Sequence, residues 1–428
     1  MRFLFCCEFY YPSIGGVQEV MRQIAERMVQ RGHDVTIATS ALPNRKSRIH
    51  NGVKIEEFKA AGNLVSGLRG EIQRYQEFVL GFDADAVLVK AAQQWSFDAL
   101  WPILAQLRSR KIFIPCGFSG LFHPSFSEYY NNMISVLSFI DHFIFYAENY
   151  RDISFVREAG FRNISVIPNG ACEREFADAA PDVDLRATFG IDPEAFVFLS
   201  VGSLTGLKGH AEIIEAFATM ETGGAPVALI LNGNRPAPPA AALGPMRYVA
   251  QLGGHLTRVL REEGLWAALG RMKARLTSLD HKIHYWKNIA VAQAGKQVFL
   301  TNLSRSDLVD AYKAADLFVF ASNIEYSPLV LYESVAAATP FLSVPVGNAE
   351  EIAHRTGAGL ICPASVDERG FTRVKPRQLA DAMTRAMNER ERLKEMGRRG
   401  REAWTAQYTW QRIAEQYEAV LCGRDPPK

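Results

Sequence analysis

The sequence predicts an α/β protein made of two domains in series, each with a parallel sheet covered by helices. Its 428 residues are enough for two or three domains of ordinary size. Short apolar runs alternate with longer amphipathic runs, a pattern typical of parallel strands joined by crossover helices. The alternation pauses at a polar stretch, about 177–192, and then starts again. We therefore expect one domain on each side of this linker.

The first series of apolar runs predicts six strands, with a helix directly after the first of them. The strands are Phe3–Cys7, Asp34–Ala38, Ala86–Val89, Lys111–Pro115, His142–Tyr146 and Ser165–Ile167, and the helix is Val17–Arg31. The second series predicts five strands and a helix, followed by one or two helices over 404–422. Its strands are Phe196–Val201, Val227–Asn232, Val298–Leu300, Leu317–Phe320 and Phe341–Val344, and its helix is His210–Thr219.

One region, about 235–296, shows no strand pattern and interrupts the second series. It begins with prolines and continues with apolar residues at helical spacing, so we expect one or two inserted helices. Between residues 255 and 287 it carries seven basic residues against three acidic ones. A helix with basic and apolar faces can lie on an anionic membrane surface. We expect 240–292 to be a peripheral docking element for a membrane or a partner protein; the alternative is a helix pair packed on its own domain.

Composition excludes several classes of protein. The formal net charge is +2, which argues against a general nucleic-acid binder. No stretch of about 18 apolar residues is present, so no spanning helix is expected. The six cysteines form no Cys-x-x-Cys pair, as in a protein of a reducing compartment. We expect a cytoplasmic protein, with peripheral contact at the inner face of the membrane as a further possibility.

The first candidate for chemistry is the turn after the first strand, where Gly15 and Gly16 precede a helix. Glycine lets the backbone approach a ligand closely, and a helix start attracts anions. A tight structural turn is the alternative. The dinucleotide fingerprint Gly-x-Gly-x-x-Gly and the Walker loop are both absent, which argues against a dehydrogenase and against a P-loop enzyme.

The second candidate is Lys208, in the loop that follows the strand Phe196–Val201 and precedes a helix. This places the lysine at the carboxyl edge of the second sheet, where open α/β folds bind ligands. Its ammonium is suited to a phosphate group, although a solvated surface lysine remains the alternative.

The third candidate is the run from Ser322 to Ser334, which follows the strand Leu317–Phe320. Ser327 is predicted to cap a helix whose first residue is Pro328, leaving the N–H groups of Leu329 and Val330 free to bind a diphosphate. Glu325 precedes this helix and Glu333 lies inside it, where carboxylates can accept hydrogen bonds from sugar and ribose hydroxyls. The alternative is a capped surface helix with a solvated Glu333.

In their order along the chain, these motifs resemble glycosyltransferase family 4, whose members have the GT-B fold. The matching features are the Gly-Gly turn with Arg31-Gly-His-Asp-Val35, Val166-Ile-Pro-Asn-Gly170, Val201-Gly-Ser with Lys208-Gly, the pair Glu325 and Glu333, and Tyr408 to Tyr417. The resemblance covers nearly the whole chain outside the insertion. It implies two Rossmann-like domains with parallel sheets facing a central cleft.

By this resemblance Lys208 binds donor phosphate, Glu333 the ribose, Glu325 the transferred sugar, and Gly16 the diphosphate from the other domain. It also implies retention of anomeric configuration and no metal or other cofactor; no Asp-x-Asp pair lies in either candidate loop. The chain departs from the family at Ser203, where an arginine that binds phosphate is usual. It departs again at Cys116, where a histidine is usual, and leaves open whether Cys116 or the nearby His123 takes that role.

We therefore expect a retaining glycosyltransferase that moves a sugar from a nucleotide-sugar donor to a glycan, lipid-linked or small-molecule acceptor. Residues 1–175 are predicted to form the acceptor-side domain and 190–405 the donor domain, and 406–428 to form a helix crossing back to the first domain. The rival interpretations are a nucleotide-sugar isomerase on the same type of fold and a non-catalytic nucleotide-sugar-binding protein.

Overall fold

The computed structural model describes residues 1–178, 180–233 and 279–427, and these form two α/β domains that meet at a cleft. The predicted fold class is confirmed in both sheets. None of the helices in these ranges is long and apolar enough to span a lipid bilayer.

The first domain is built on an eight-stranded sheet. In spatial order the strands are Ile164–Val166, His142–Phe145, Arg110–Ile114, Ala86–Lys90, Arg2–Cys6, Asp34–Ser40, Val53–Phe58 and Ile49–His50. All neighbours are parallel except the last pair. The central strands are mostly apolar and buried because helices cover both faces of the sheet.

The second domain is built on a six-stranded, fully parallel sheet. Its strands, in spatial order, are Lys296–Thr301, Val227–Asn232, Phe196–Val201, Leu317–Phe320, Phe341–Ser343 and Gly359–Ile361. Two small antiparallel pairs lie outside the main sheets, Ala60–Ala61 with Arg69–Gly70 and Ser365–Val366 with Thr372–Arg373. Because the strands within each sheet run the same way, their carboxyl ends share one edge, and the cleft lies along these edges.

Helices connect the strands in both domains. Those of the first are Gly16–Gln30, Ile72–Gly81, Trp95–Asp98, Ser127–Leu137 and Arg151–Glu158. Those of the second are Leu185–Phe189, His210–Thr219, Leu279–Val291, Arg305–Ala314, Leu329–Ala336, Ala349–Thr356, Pro376–Met387 and Arg390–Ala403. Short 3₁₀ turns occur at Leu104–Gln106 and Pro124–Phe126, and a π-helical turn at Trp404–Tyr408.

The last helix, Trp410–Leu421, returns to the first domain. Its apolar face, including Trp410 and Tyr417, is buried in the core that also contains the helix Gly16–Gln30. The N–H of Ala171 donates to the carbonyl of Tyr408 at 3.1 Å, so the outgoing and returning segments lie side by side.

The last part of the predicted insertion, 235–296, is not peripheral, because the second sheet requires it. Strands Val227–Asn232 and Lys296–Thr301 are parallel neighbours, so the chain between them must cross over the sheet. The helix Leu279–Val291 makes this crossover and packs on His210–Thr219, with Ile283 and Ala290 buried. The part of the predicted insertion from 235 to 278 lies outside the described residues.

Candidate active site

Two helix starts face each other across the cleft between the domains. A Cβ placed on Gly16 would lie 3.8 Å from Cδ1 of Leu329, so the backbone of Gly16 packs against the Leu329 side chain. The cavity between them has a volume of about 260 Å³. The first domain lines it with Gly16, Val17, Val20, Lys90, Cys116, Tyr146 and Asn169, and the second with Val201, Gly202, Lys208, Phe320 and residues 325–330. Both walls therefore present N–H groups at a helix start to the same space.

Lys208 and Glu325, predicted to act on the donor, meet in this cleft. Nζ of Lys208 lies 2.5 Å from Oε1 of Glu325, and Oγ of Ser322 donates to the same oxygen at 2.9 Å. The other oxygen of Glu325 makes no hydrogen bond within the described part of the chain, so it is available to a ligand hydroxyl. The pair is mostly buried, with side-chain exposures of 29% and 15%.

The backbone next to Lys208 is hydrogen-bonded to the loop that follows the neighbouring strand, Leu317–Phe320. The N–H of Asn323 donates to the carbonyl of Leu207 at 2.8 Å, and Oγ of Ser322 donates to the same carbonyl at 3.1 Å. Gly209 has a φ of 71°, and a Cβ there would lie 2.0 Å from the carbonyl oxygen of Ala321. Only glycine fits this approach, which fixes the direction in which the lysine leaves the sheet.

The segment 321–328, which we call the donor loop, leads into a helix that begins one residue later than predicted. It covers Leu329–Ala336, Pro328 occupies the N-cap position, and Ser327 makes no capping hydrogen bond, so the predicted Ser327 cap and the helical Pro328 are wrong. Pro328 has a ψ of 116°, an extended value that excludes it from the first helical turn. Instead, the carbonyl of Ser327 accepts a hydrogen bond from Nδ2 of Asn169 in the first domain, at 3.0 Å. The N–H groups of Leu329 and Val330 remain at the helix start and line the cleft.

Glu333 is buried within the helix and forms an ion pair with Arg305 at 2.7 Å. Arg305 also donates to both carboxylate oxygens of Glu175, at 3.0 and 2.7 Å. Partial desolvation lowers the pKa of the Arg305 guanidinium, but the two carboxylates outweigh this effect and raise its pKa, although the side chain is 43% exposed. Glu333 is not part of the cavity wall; it lies one helical turn beyond Leu329 on the same face.

Of the three remaining predicted residues, Cys116 lines the cleft, whereas Ser203 and His123 do not. Ser203 is half-buried in its loop and does not line the cleft. Cys116, in a left-handed conformation with φ 64°, does line it, and burial raises the pKa of its thiol. His123 is exposed outside the cleft, where Nδ1 lies 2.7 Å from Oγ of Ser125. Of the two candidates for the missing histidine, the structure therefore brings Cys116 to the site and leaves His123 outside it.

Lys90 is a cleft residue that the sequence analysis missed. It is the last residue of the strand Ala86–Lys90, has no exposed surface, and donates from Nζ to the hydroxyl of Tyr146 at 2.6 Å. Burial lowers the pKa of Lys90 to about 8. The sequence signal was a lysine directly after the apolar run Ala86–Val89, which places it at the carboxyl end of a central strand.

Tyr326 is a second missed residue, and it joins the domains. Its hydroxyl accepts a hydrogen bond from the N–H of Tyr146 at 2.9 Å, and its ring centroid lies 4.8 Å from that of Tyr150. The ring packs on Gly117, whose N–H donates to the carboxyl of Asp152 at 2.8 Å. Burial raises the pKa of Asp152 to about 6, although hydrogen bonds from Gly117 and Tyr326 oppose the shift.

Two family models match the chain, one in each domain. The model described as Glycosyltransferase Family 4 matches residues 14–172, and the model described as Glycosyl transferases group 1 matches residues 287–403. Among characterised proteins, the N-acetyl-alpha-D-glucosaminyl L-malate synthase of Bacillus anthracis is 20% identical over 424 residues, which is 96% of this chain and 94% of that protein.

Solved structures share the same two-domain arrangement. The sucrose-phosphate synthase of Thermosynechococcus elongatus superposes with a TM-score of 0.69 at 16% identity, over 98% of each chain. Anabaena Alr3699/HepE, in complex with UDP and glucose, gives a TM-score of 0.65 at 15% identity, over 98% of this chain and 99% of that one. These likenesses confirm the predicted GT-B fold.

Proposed function

Because the chain belongs to the family 4 glycosyltransferases, we propose that it transfers a sugar from a nucleotide-sugar donor to an acceptor hydroxyl with retention of anomeric configuration and without a metal ion. The observation that carries the proposal is the shared cleft wall of Lys208, Glu325 and the helix start at Leu329. It places a cation, a carboxylate and free N–H groups where a sugar diphosphate needs them.

In the proposed reaction the bond between the sugar C1 and the diphosphate oxygen breaks, and a bond from C1 to the acceptor oxygen forms on the same face. The acceptor's hydroxyl proton passes to the departing diphosphate. Negative charge grows on that diphosphate, so Lys208 and the N–H groups of Leu329 and Val330 stabilise the transition state. Glu325 has one oxygen held by Lys208 and Ser322, and the other is directed to a sugar hydroxyl.

The relatives suggest the first substrates to test. The Bacillus anthracis relative is named for a product that joins N-acetylglucosamine to L-malate, and the Anabaena structure contains UDP and glucose. We propose a small or glycan-type acceptor and UDP-linked sugars as the first donors. A thermal-shift screen of nucleotide sugars identifies the donor, because ligand at about 100 times its Kd stabilises by about 2.7 kcal/mol.

The identified donor is then incubated with candidate acceptors, L-malate among them, and the anomeric configuration of the product is read by NMR. Transfer with retention is expected. Inversion contradicts the proposed stereochemistry, and interconversion of the donor without any acceptor points to an isomerase instead. Binding of nucleotide sugars with no product of either kind contradicts the proposed function.

Metal independence is tested separately with EDTA. Lys208 and two opposing helix starts supply positive charge at the diphosphate, which is the role a divalent cation plays in other enzymes. Activity is expected to survive chelation. Loss on chelation, with recovery on adding magnesium or manganese, contradicts this part of the proposal.

We also propose peripheral contact with an anionic membrane through the basic, amphipathic part of 240–292. The proposal rests on charge pattern alone, because most of this segment lies outside the described residues. Flotation with anionic liposomes at low salt compares the intact chain with a deletion of 240–276. The deletion stops there because the helix Leu279–Val291 is required by the sheet. Binding by the intact chain alone is expected; if neither form floats, membrane docking is excluded.

A further inference from the structure

Lys90 is a buried cation with a neutral partner. It ends a central strand of the first sheet and lines the cleft, although its side chain has no exposed surface in this closed arrangement. Nζ donates to the hydroxyl of Tyr146 at 2.6 Å and lies 5.0 Å from the centroid of the same ring. In the described ranges no carboxylate forms an ion pair with it. A charge placed in this way costs free energy unless an anion joins it.

The groups around Lys90 do not provide that anion. Burial raises the pKa of Cys7 to about 12 and also raises the pKa of Cys116 and Tyr146, so all three are neutral near pH 7. Asp152 forms no ion pair with Lys90 in the described ranges, and its two oxygens accept from the N–H groups of Gly117 and Ile153.

Across the cleft, the carboxylate of Glu325 is already paired with Lys208 at 2.5 Å. With its pKa lowered to about 8 by burial, Lys90 is still mainly protonated near pH 7. The first-domain wall therefore carries a positive charge that nothing else in the described site balances. On the same wall lies the start of the helix Gly16–Gln30, which adds partial positive charge.

We propose that Lys90 binds an anionic oxygen of the substrates, a phosphate or a carboxylate, from the first-domain side of the cleft. The inference deepens the proposed function and rests on it for the identity of the substrates. Two sources have this chemistry: the diphosphate of the donor, and an acceptor that itself carries a phosphate or carboxylate. Because Lys90 and Lys208 lie on opposite walls, the anion is held between the two domains.

Calorimetry with inorganic pyrophosphate, UDP and L-malate tests the inference. The variants are Lys90→Met, which keeps bulk without charge, and Lys90→Arg, which keeps charge. Lys54→Met is the matched control, since Lys54 is an exposed lysine of the same domain paired with Asp34. A charged hydrogen bond is worth about 1.5–3 kcal/mol, so Lys90→Met is expected to weaken one class of probe about ten- to hundredfold. The affinities of Lys90→Arg and Lys54→Met for each probe are expected to stay within about threefold of the parent values. A threefold change in affinity corresponds to less free energy than one charged hydrogen bond contributes.

The pattern among the probes identifies the source of the anion. Weaker binding of pyrophosphate and UDP assigns Lys90 to the donor diphosphate, and weaker binding of L-malate alone assigns it to an anionic acceptor. Binding of the affected probe should also fall between about pH 7 and about pH 9.5 in the parent, as Lys90 loses its proton, but not in Lys90→Arg.

Unchanged affinity for all three probes in Lys90→Met overturns the inference. So does failure of the parent to bind any of them, or a lower Tm in Lys90→Met without a change in affinity, since that indicates a structural role. Sugar transfer is measured independently of these affinities. One outcome is that anion binding depends on Lys90 but the protein releases no sugar from any donor. In that case the proposed function is wrong and this inference still holds.

Discussion

The donor side of the cleft depends on two glutamates held in different ways. Glu325 accepts from Lys208 and Ser322 inside the cavity, while Glu333 is paired with Arg305 one helical turn away. Under the proposed function, the first arrangement allows Lys208 to exchange its carboxylate partner for a phosphate of the donor. Lys208 is therefore placed to respond to charge that appears during the reaction.

Lys208→Ala is expected to lower kcat more than it lowers donor affinity. The lysine interacts most strongly with the diphosphate once its bond to the sugar has begun to break, so its loss falls mainly on the transition state. Steady-state kinetics and donor calorimetry measure the two effects, with the exposed Lys282→Ala as the control. If kcat is untouched and the loss in kcat/KM matches the loss in affinity, Lys208 provides uniform binding instead.

Glu333 is paired with Arg305 outside the cavity wall, so the ribose contact implied by the family resemblance requires the donor to extend one helical turn beyond Leu329. If the donor does so, Glu333→Ala is expected to weaken its binding about ten- to hundredfold, the value of a charged hydrogen bond of about 1.5–3 kcal/mol. The fold should survive because Arg305 keeps its two bonds to Glu175. Calorimetry with UDP measures the affinity for the donor nucleotide, and a thermal melt measures whether the fold survives. An unchanged Kd for UDP would remove Glu333 from the donor site.

The sequence located most residues of the donor wall and few of the opposite wall. Lys208, Glu325 and Leu329 follow strands of one sheet, so turn and helix-start chemistry was enough to place them. Lys90 and Tyr326 were missed because their roles depend on how the two domains face each other, which local pattern does not encode. Arg305 was missed for a related reason: it lies on another helix, 28 residues before Glu333.

At the scale of elements, the apolar central strands could be predicted and the peripheral ones could not. Phe196–Val201 and Leu317–Phe320 are buried on both faces and appear as continuous apolar runs. Val53–Phe58 was missed because one face is less buried and its sequence mixes charged with apolar residues. Gly359–Ile361, at the edge of the second sheet, has only three residues and gives almost no periodic signal.

The turn that contains Gly117, at the edge of the cleft, packs against Tyr326 of the second domain. Gly117 has a φ of 90°, and a Cβ on it would lie 3.1 Å from the ring of Tyr326 and 3.3 Å from Tyr150. The same turn carries Cys116, also left-handed, into the cavity. The contact therefore links the donor loop to the position where the family usually has a histidine.

Gly117→Ala is expected to reduce turnover, because the added methyl displaces Tyr326 and with it the donor loop. Gly160→Ala is a close control, since Gly160 has a φ of 93° with nothing within 4 Å of its Cβ position. Both variants should lose about 1–3 kcal/mol in urea unfolding from backbone strain, but only Gly117→Ala should lose activity. Equal turnover in the two variants would show that the contact with Tyr326 does not matter for catalysis.

At the scale of the whole molecule, the cleft is narrow for the ligand it is proposed to hold. Its volume of about 260 Å³ is below the range of about 300–1,000 Å³ typical of small-molecule sites. Several hydrogen bonds join the domains beside it, from Tyr146 N to Tyr326, from Asn169 to the carbonyl of Ser327, and from Asn348 to the carbonyl of Tyr146. We therefore expect a nucleotide sugar to enter while the domains are further apart, with closure then excluding water from the donor.

Asn348→Ala is expected to favour the open arrangement in the absence of ligand. The bond from its Nδ2 to the carbonyl of Tyr146 measures 3.1 Å and is buried, so its loss costs the closed state about 0.5–1.5 kcal/mol. That energy shifts the ratio of open to closed molecules by about two- to tenfold toward the open form. Small-angle scattering should then give a larger radius of gyration than for the parent or for the exposed control Asn131→Ala, and saturating UDP should restore the parent value. If the radius stays the same in all forms with and without UDP, the domains do not open in this way, and the donor must enter by local movement of the loops around Lys208 and Glu325.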